Sequence, residues 1–559
     1  MFKYDYDFSI VMGYYNRKPQ LKRTLDKFKE TYGGYIYEVV IVDDNSTSEH
    51  HLDELVKEYT YPINLIKITA EEKGDRLNPC SVYNKGFREA KGKIVVIQNP
   101  ECIHFGDLLG YLKSNLGHND YFAFSAYNCT SADFTDNLLK NIHLVNDPSF
   151  NAQNNLCWYN HPIIRPVHYH FCAAMLNDNL KMLGGFDEEF AKGAWFDDNE
   201  ILLSISANLG LKIQTLSPDV GFVVHQWHPR DAESKFTKEQ HDALIQRNRE
   251  LFSSYVTYHK EHPLNFPKLL HLYWDGSNFS YLNLLTILSF NRYHIGWKIN
   301  VFCPKDPVKT KSWTTREQKD EYTGKNYFDE LKKISNVNIH YIDFNNLPFK
   351  HKDASEVIKS DFFRLYVLNK YGGLWSDFDI IYTNNIEKYH ATHVKGDKKM
   401  LIYRYMWKEA NRYVIPIGLF LGKKHNSILS GILQNIEKFY NPDQYQCLGC
   451  QMFQFIFNHE NYVNAKPILQ KMKLTELGMQ EAQCYLPIKW NELDKLYRDP
   501  SVKATSVEID PEVFGVHWFN GAADSKNYCN RLDLDRVKSD DPKCLIDELV
   551  KKYIIDVMR

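Results

Sequence analysis

The chain has 559 residues, too many for one hydrophobic core, and this length predicts two or more domains. Hydrophobic residues make up 43% and charged residues 25% of the sequence, as in an ordinary globular protein. With a net charge of −2, the protein has no overall electrostatic attraction for polyanions, so we expect no nucleic-acid partner. The N-terminal stretch lacks the apolar core of a signal peptide, and no run reaches the ~18 apolar residues of a membrane span. We therefore expect a cytoplasmic protein without a transmembrane segment.

The chain opens with the pattern of a strand, a helix and a second strand. Residues 7–13 and 38–42 are apolar, β-rich runs, and apolar residues between 21 and 28 have helical spacing. Short links between these elements predict a parallel sheet, with ligands at the carboxyl ends of its strands. Tyr14 and Asn16 follow the first strand, and Asp43 and Asp44 follow the second. The acidic turn could bind the hydroxyls of a ribose and a base. It could equally cap the next helix.

A third segment adds a helix that carries Asn84 and a strand that ends in Asn99, Pro100 and Glu101. With the opening unit, it resembles glycosyltransferase family 2 and the polypeptide N-acetylgalactosaminyltransferases. The resemblance implies a GT-A domain, which is a Rossmann-like nucleotide-sugar transferase fold. The donor-binding residues it implies in this domain are Tyr14, Asn16, Asp43, Asp44 and Asn84. Where the family has Asp-x-Asp as metal ligands, this chain has Asn99 and Glu101, so one carboxylate has become an uncharged amide.

Two later segments extend the same resemblance. Asp197 and Asp198 open a helix with an apolar face, where the helix dipole alone would favour one or two acids. The resemblance implies that Asp198 is the general base that deprotonates the acceptor hydroxyl, and that Asp197 holds the acceptor. An apolar strand then ends in His225 and His228. Either histidine could bind the metal and offset the loss at Asn99, or could be purely structural.

The second half begins after residues 258–267, which contain two prolines and predict a linker. We expect one domain at residues 1–260 and another at 261–559. The second domain opens with an apolar strand that ends in Trp274. Later, a helix carries Asp361 and Arg364 three residues apart, and a Gly-Gly pair ends that helix. In isolation these two charges would be a surface ion pair worth less than about 1 kcal/mol.

After the Gly-Gly pair, a short strand is predicted to end in Asp377 and Asp379. Residues two apart on a strand point the same way, so both carboxylates can meet one divalent cation. Mg²⁺ and Mn²⁺ prefer such oxygen ligands together with phosphate. A bare Asp-x-Asp also arises by chance in surface turns, so the motif depends on its context.

This context resembles glycosyltransferase family 32 and the related glucosylating bacterial toxins. The resemblance implies a second GT-A domain in which Trp274 stacks on the nucleobase; the alternative is that Trp274 is a core residue. It also implies that Asp361 binds donor hydroxyls while Arg364 orients it or meets a phosphate. The metal ligands it implies are Asp377, Asp379 and, from a late motif at residues 513–521, His517. The usual Ser-Trp ending of that motif is replaced by two alanines.

The expected function is a bifunctional, Mn²⁺- or Mg²⁺-dependent glycosyltransferase. It would transfer sugars from nucleotide-sugar donors, UDP-sugars first among them, to a glycan, glycoprotein or glycolipid acceptor. The first domain is expected to be inverting and the second retaining. In one alternative, only the C-terminal domain is catalytic and the N-terminal domain is a degenerate acceptor-binding module. In another, neither half is catalytic and the chain binds carbohydrate or acts as a scaffold.

Overall fold

The computed structural model describes residues 2–153, 157–229, 235–308, 321–408, 411–457, 472–498, 510, 512–539 and 543–557. The chain divides into two compact units, Phe2–Thr257 and Tyr258–Arg559, called the first and the second domain below. Each domain is α/β and contains a sheet with a parallel core. The predicted class, two Rossmann-like domains in tandem, is therefore confirmed.

The strands of the first domain are β1 (Tyr6–Tyr14), β2 (Tyr37–Asp43), β3 (Ile63–Lys67), β4 (Gly92–Gln98), β5 (Cys102–Phe105), β6 (Asp120–Asn128), β7 (Trp158–Asn160), β8 (Cys172–Leu176), β9 (Lys212–Leu216) and β10 (Phe222–His225). Its helices are α1 (Lys18–Thr31), α2 (Ala70–Lys73), α3 (Cys80–Glu89), α4 (Leu108–Asn115), α5 (Ala132–Lys140), α6 (Pro148–Gln153), α7 (Asn177–Leu183), α8 (Asp197–Ala207) and α9 (Lys238–Glu261). Helix α9 runs past Thr257, the last residue of the first domain, to Glu261, so the start of the linker predicted at residues 258–267 is helical instead.

The sheet of the first domain has the order β3-β2-β1-β4-β8-β6-β10-β5, and β7 and β9 both pair with β6. Strands β1 to β4 are mutually parallel, and every residue of β2 is buried, as expected for a strand covered on both faces. Further along, β10 runs antiparallel to β5. Their register places His225 opposite Cys102, directly beside Glu101. This pairing brings residues more than a hundred positions apart to one edge of the sheet.

The strands of the second domain are β11 (Leu269–Tyr273), β12 (Lys298–Pro304), β13 (Val337–Ile342), β14 (Gly373–Ser376), β15 (Ile380–Tyr382), β16 (Met400–Trp407), β17 (Arg412–Val414), β18 (Leu419–Gly422), β19 (Leu477–Glu481) and β20 (Gly515–His517). Its helices are α10 (Tyr281–Tyr293), α11 (Glu356–Tyr371), α12 (Ile386–His393), α13 (Ser427–Asn435), α14 (Cys450–Phe457), α15 (Asp494–Tyr497), α16 (Ala523–Arg531), α17 (Leu534–Ser539) and α18 (Leu545–Val557). The main sheet has the order β13-β12-β11-β14-β18-β16-β17, with β19 on β16, and β15 pairs separately with β20.

The predicted passage from helix to strand occurs at the Gly-Gly pair. Gly372 and Gly373 have φ angles of 73° and 109°, which L-residues rarely adopt, so they end α11 and start β14. A Cβ atom on Gly373 would lie 2.4 Å from the carbonyl oxygen of Leu269, on the neighbouring strand. The next strand break was not predicted. Since β14 ends at Ser376 and β15 begins at Ile380, Asp377 and Asp379 lie in the turn between two strands.

Across the described ranges, no helix combines the length and the apolar character needed to cross a membrane. The C-terminal α18 instead packs Ile546, Leu549 and Val550 into a buried cluster with Leu282 and Leu285 of α10. The last helix is therefore packed on the second domain.

Candidate active sites

A buried arginine joins two acids in the second domain. Arg364 and Asp361 lie on one face of α11 and are only 5% and 1% exposed. Arg364 Nη2 lies 2.9 Å from Asp361 Oδ1, and Arg364 Nη1 lies 3.5 Å from Asp377 Oδ1. Arg364 Nη1 also donates a hydrogen bond of 2.7 Å to the carbonyl oxygen of Ile417. The alternative of a surface ion pair is wrong, because this guanidinium is a buried clamp on both acids.

Burial also changes the protonation of this site. Burial raises the pKa of Asp361 to about 7, although the positive charge of Arg364 opposes the shift. Asp361 Oδ2 is buried and accepts no hydrogen bond. An unsatisfied carboxylate oxygen is costly in a folded protein, and a donor hydroxyl or a cation would relieve the cost.

The second carboxylate of the motif faces a histidine from the late segment. β15 pairs with β20 so that Ile380 is opposite His517, which brings the imidazole next to Asp379. His517 Nε2 lies 3.2 Å from Asp379 Oδ1, an oxygen that is buried and makes no hydrogen bond. Asp379 Oδ2 accepts a hydrogen bond of 3.0 Å from the backbone N–H of Asn520. The predicted set of Asp377, Asp379 and His517 is thus gathered around one turn.

These donors suit a divalent cation. Carboxylate oxygens are the ligands that Mg²⁺ and Mn²⁺ prefer in proteins, and imidazole nitrogen is a common ligand of divalent transition metals. The under-bonded Asp379 Oδ1 is the observation that supports a cation here, because His517 approaches it without a well-aligned hydrogen bond. Asp377 is positioned by Arg364 and by Trp375, whose Nε1 donates a hydrogen bond of 2.9 Å to Asp377 Oδ1.

Two glycines at this site were missed in the sequence. A Cβ atom on Gly449 would lie 2.5 Å from Asp361 Oδ2, and one on Gly418 would lie 3.0 Å from Asp377 Oδ2. Because the two glycines have no side chain, their backbone can approach both carboxylates closely. Gly449 stands between Cys447 and Cys450 in the sequence. No local signal could have revealed its role, because its contact is with a helix far away in the chain.

Trp274 lies beside the same turn but is mostly covered. It is 7% exposed, and its Nε1 donates a hydrogen bond of 2.8 Å to the carbonyl oxygen of Ser277. Its ring packs edge-on against Phe279 and Phe378, at centroid distances of 4.9 and 5.6 Å. Because Phe378 separates Asp377 from Asp379, Trp274 helps to support the acidic turn. Its stacking on a nucleobase stays a prediction.

The first domain contains a compact cluster of metal-ligand type. Glu101 Oε1 lies 3.1 Å from His225 Nε2 and 3.4 Å from His228 Nε2. In the part of the chain that the structure describes, these three residues form a group of potential metal ligands. One ligand atom from each lies within 4.8 Å of the other two. Burial acts to raise the pKa of Glu101, but hydrogen bonds and charge from the two histidines outweigh it and hold that pKa well below its usual range. A buried carboxylate kept ionised beside two imidazoles fits a divalent cation.

Asn99 does not share this arrangement. Its Oδ1 accepts a hydrogen bond of 2.9 Å from the hydroxyl of Tyr83, so the amide already has a protein partner. The role of Asn99 as a metal ligand therefore stays a prediction, and the cluster of Glu101 with two histidines supplies a charged alternative at the same strand end.

The acids at the start of α8 have different partners. His170 Nδ1 lies 2.5 Å from Asp198 Oδ1, and the His170 backbone N–H donates to the same oxygen at 3.1 Å. Burial acts to lower the pKa of His170, but the charge of Asp198 outweighs it and raises that pKa. Asn78 Nδ2 donates a hydrogen bond of 3.1 Å to Asp197 Oδ1. Burial and the charge of Asp198 raise the pKa of Asp197 to about 6. His170 was not predicted as a site residue, because it stands 28 residues before Asp198 and shares no local pattern with it.

The donor-binding residues predicted near β1 and β2 lie close together. The hydroxyl of Tyr14 donates a hydrogen bond of 2.7 Å to the carbonyl oxygen of His50. Asn16 has a left-handed φ of 51°, and its Oδ1 accepts a hydrogen bond of 3.0 Å from the backbone N–H of Thr47. Asp43 is 3% exposed, and its Oδ1 accepts a hydrogen bond of 3.0 Å from the N–H of Ser46. These contacts shape the turn at the ends of the two strands.

The other two predicted donor contacts are held by protein partners. Asp44 forms ion pairs with Arg76 and Lys73. The amide of Asn84 donates a hydrogen bond of 2.8 Å to the carbonyl oxygen of Phe186 and accepts one of 2.8 Å from the Phe186 N–H. Asn84 thus joins α3 to the loop after α7. Direct donor contact by Asp44 or Asn84 stays a prediction.

Family models match in both domains. Residues 9–180 match the description "Glycosyl transferase family 2". Residues 307–396, which include the Asp361–Asp379 segment, match "Glycosyltransferase sugar-binding region containing DXD motif". Residues 421–533, which include His517, match "Alpha 1,4-glycosyltransferase conserved region". The protein therefore carries glycosyltransferase regions of two types, family 2 in its first half and a DXD-containing, family-32-like type in its second. Both resemblances seen in the sequence are confirmed, and with them the GT-A class of the fold.

Individual relatives overlap only part of the chain. A dolichol-phosphate mannosyltransferase from Pyrococcus furiosus is 28% identical over 96 residues, which is 17% of this chain and 26% of that protein. The chain thus spans about a quarter of the length of this curated relative.

Similar solved structures include TarS from S. aureus, which is 15% identical with a TM-score of 0.29 and covers 40% of this chain and 37% of its own. The mannosyltransferase PcManGT from Pyrobaculum calidifontis, in complex with GDP-Man and Mn²⁺, is 22% identical with a TM-score of 0.27, over 42% of this chain and 60% of its own. Glucosyl-3-phosphoglycerate synthase from Mycobacterium tuberculosis is 15% identical with a TM-score of 0.28, over 44% and 80%. Similarities of this extent identify neither the donor nor the acceptor of this chain.

Proposed function

We propose that the protein is a bifunctional glycosyltransferase that moves sugars from nucleotide-sugar donors to a glycan or glycoconjugate acceptor. The observation that carries this proposal is the arginine clamp of the second domain. Arg364 holds Asp361 and Asp377 together while Asp379 meets His517. A scaffold protein would have no need to bury an arginine and an under-bonded carboxylate at one turn, because such groups are expensive to desolvate.

We propose Mn²⁺ or Mg²⁺ as the cofactor, held by Asp377, Asp379 and His517 in the second domain. A divalent cation there would stabilise the charge that develops on the leaving nucleotide diphosphate. The residues of the chain do the positioning. Arg364 fixes Asp361 so that its free Oδ2 can accept a hydrogen bond from a hydroxyl of the donor sugar.

In the first domain, we propose that Asp198 is the general base of an inverting transfer. Both contacts from His170 fall on Asp198 Oδ1, which leaves Oδ2 for the acceptor hydroxyl. The side chain of Asp198 is 26% exposed, so a substrate can reach it. His170 beside it would stabilise the carboxylate before the proton is taken. The second domain is proposed to be retaining on its family resemblance alone; there, the leaving phosphate would take the acceptor proton.

The alternative is that only the second domain, residues 261–559, is catalytic and residues 1–260 form an acceptor-binding module. The replacement of an aspartate by Asn99, which bonds to Tyr83, supports this alternative. The cluster of Glu101, His225 and His228 supports the bifunctional proposal, because it provides a charged metal site where Asn99 does not.

A donor panel tests the proposal. UDP-, GDP- and dTDP-sugars would be supplied with Mn²⁺ or Mg²⁺, and nucleotide release measured for the wild type, Asp198→Ala and Asp377→Ala. The resemblance to family 2 makes UDP-sugars the donors that we expect to react. Each variant should lose release from one donor and keep it for another. If Asp377→Ala abolishes release from every donor, the one-site alternative holds. If the wild type releases no nucleotide under any condition, the protein is not a transferase for these donors.

A further inference from the structure

The hairpin formed by β16 and β17 in the second domain places an arginine on an exposed tryptophan. Tyr405 and Trp407 are two residues apart on β16 and therefore point to the same side of the hairpin. The strand register places Arg412 of β17 directly opposite Trp407, so Arg412 shares that side. Its guanidinium lies 5.3 Å from the centroid of the indole ring, and Trp407 is 41% exposed.

A second cation connects this side of the hairpin to the candidate metal site. Lys489 Nζ lies 5.6 Å from the centroid of the Tyr405 ring. The next residue, Trp490, is 42% exposed and meets Phe519 edge-on, with 5.6 Å between the ring centroids. The ring of Phe519 lies 4.2 Å from that of His517, the proposed metal ligand. The residues of this surface, called the basic aromatic face below, are Tyr405, Trp407, Arg412, Lys489 and Trp490.

The two cations of the basic aromatic face have no acidic partner among the described residues. Neither Arg412 nor Lys489 forms an ion pair with a carboxylate there. Glu492 is the acid closest to Lys489 along the chain, but its carboxylate is held by Lys495 Nζ at 2.7 Å and by the backbone N–H of Lys489 at 3.1 Å. Cations that lie on aromatic rings keep N–H donors for an anion, and arginine matches the geometry of a carboxylate or a phosphate.

On the opposite face of the same hairpin, the arginine does have an acidic partner. Arg404 lies over Tyr413, 4.2 Å from its ring centroid, and Arg404 Nε lies 3.4 Å from Glu481 Oε1. The positive charge of Arg404 is thus balanced within the protein, whereas that of Arg412 is not. This contrast indicates that the cations of the basic aromatic face serve a ligand rather than the stability of the hairpin.

Exposed aromatic rings beside unbalanced positive charge suit a charged carbohydrate. The C–H groups of a sugar ring pack on aromatic side chains, and its acidic groups form charge-assisted hydrogen bonds with cations. We propose that the basic aromatic face binds an acidic glycan acceptor, with its carboxylate or phosphate groups on Arg412 and Lys489 and its sugar rings against Trp407 and Trp490. This inference rests on the proposed function, because it names the acceptor class of the second domain.

Binding in the absence of a donor tests the inference. The full chain would be titrated by calorimetry with an oligomer of galacturonic acid and with its methyl ester, which has the same rings without the charge. A phosphorylated glucose oligomer distinguishes phosphate from carboxylate as the acidic group. A thymidine oligonucleotide tests whether any polyanion binds, because basic surfaces with exposed aromatic rings also bind single-stranded nucleic acid.

Four variants separate the two faces of the hairpin. Arg412→Gln and Trp407→Ala remove one charge and one ring from the basic aromatic face. Arg404→Gln and Tyr413→Ala are the matched controls on the opposite face, where Tyr413 is 36% exposed. UDP binding and the unfolding midpoint are measured on every variant, so that a folding defect is recognised.

We expect at least one acidic oligomer to bind the wild type, and the methyl ester to bind about tenfold more weakly or not at all. Arg412→Gln and Trp407→Ala should each weaken the binding of the acidic oligomer about tenfold, while both control variants bind it as the wild type does. UDP binding should be unchanged throughout.

The inference is overturned if neither acidic oligomer binds, if the methyl ester or the oligonucleotide binds equally well, or if the control variants lose as much binding as the other two. Nucleotide release by a protein that binds no acidic oligomer would overturn this inference alone. Binding of an acidic oligomer by a protein that releases no nucleotide from any donor would instead contradict the proposed function and leave the basic aromatic face standing as a glycan-binding surface.

Discussion

His225 Nε2 lies 3.1 Å from Glu101 Oε1, at the edge where β10 meets β5. The antiparallel register of these strands produces the contact, and His228 joins it at 3.4 Å. The sequence had suggested a weakened metal site here, because Asn99 replaces an aspartate, and a stronger one at Asp377 and Asp379. Within the described part of the chain, however, the compact ligand cluster lies in the first domain. The first domain is therefore as well equipped for a cation as the second.

Glu101→Gln should weaken cation binding in the first domain. The change keeps the shape but removes the charge that both histidines face. Loss of a residue that only hydrogen-bonds to a metal ligand typically lowers metal affinity 10- to 100-fold. Loss of a ligand itself should cost no less, so we expect at least about a tenfold loss. Titration with Mn²⁺ alone, followed by electron paramagnetic resonance, measures it. Asp377→Asn is the control for the second site; if both variants bind Mn²⁺ as the wild type does, neither cluster is a metal site.

Arg364→Ala should destabilise the second domain strongly. The change leaves Asp361 buried without its cationic partner, and breaking a buried pair in this way typically costs about 3–5 kcal/mol. Arg364→Lys keeps a charge but cannot span both acids, so a smaller loss is expected. Denaturant unfolding followed by tryptophan fluorescence measures both. Arg412→Ala, on the exposed β17, should leave the midpoint unchanged. If Arg364→Ala unfolds at the same denaturant concentration as the wild type, the contacts of Arg364 contribute little to stability.

Gly449→Ala should impair transfer by the second domain with little change in stability elsewhere. The new methyl group would lie 2.5 Å from Asp361 Oδ2, so the carboxylate must move. A displacement of about 1 Å among the reacting groups of an active site can lower the rate about 100-fold. Nucleotide release from the donor of the second domain is the measurement. Gly33→Ala is the control, because its added Cβ meets no atom within 4 Å. Equal rates for both variants would argue against a donor role for Asp361.

The pH dependence of stability should contain a contribution from Asp361. Burial raises its pKa from 3.8 to about 7, so between these values the folded protein holds a proton that the unfolded chain has lost. The free energy of unfolding therefore falls as pH rises through this window, by at most about 1.4 kcal/mol per pH unit. Asp361→Asn, which stays neutral, should remove that slope. Unfolding measured without divalent metal from pH 4 to 8 compares the two, and identical slopes would contradict the assignment.

Local patterns predicted much of this molecule because they reflect local physics. The apolar run of β2 and the Gly-Gly ending of α11 could be read directly, since burial on both faces and a positive φ each leave a signature in sequence. The placement of Asp377 and Asp379 in a turn could not, because the break between β14 and β15 depends on the pairing of β15 with β20.

Site residues that depend on tertiary contacts left no signal. His170 reaches Asp198 only through the packing of the segment before β8 against α8. Arg364 was expected to pair within its own helix, and its second contact with Asp377 requires the fold. In contrast, His225 and His228 could be singled out from their position after a strand, and the structure places both beside Glu101. Metal binding by these residues stays a prediction.

Both domains are proposed to be catalytic, and the Asp377→Ala variant tests this most directly. With the second site disabled, nucleotide release would be measured across the donor panel with Mn²⁺. We predict that at least one donor still reacts and that adding Asp198→Ala to the same chain abolishes that release. No release from any donor by Asp377→Ala alone, in a variant that unfolds as the wild type does, would contradict the claim.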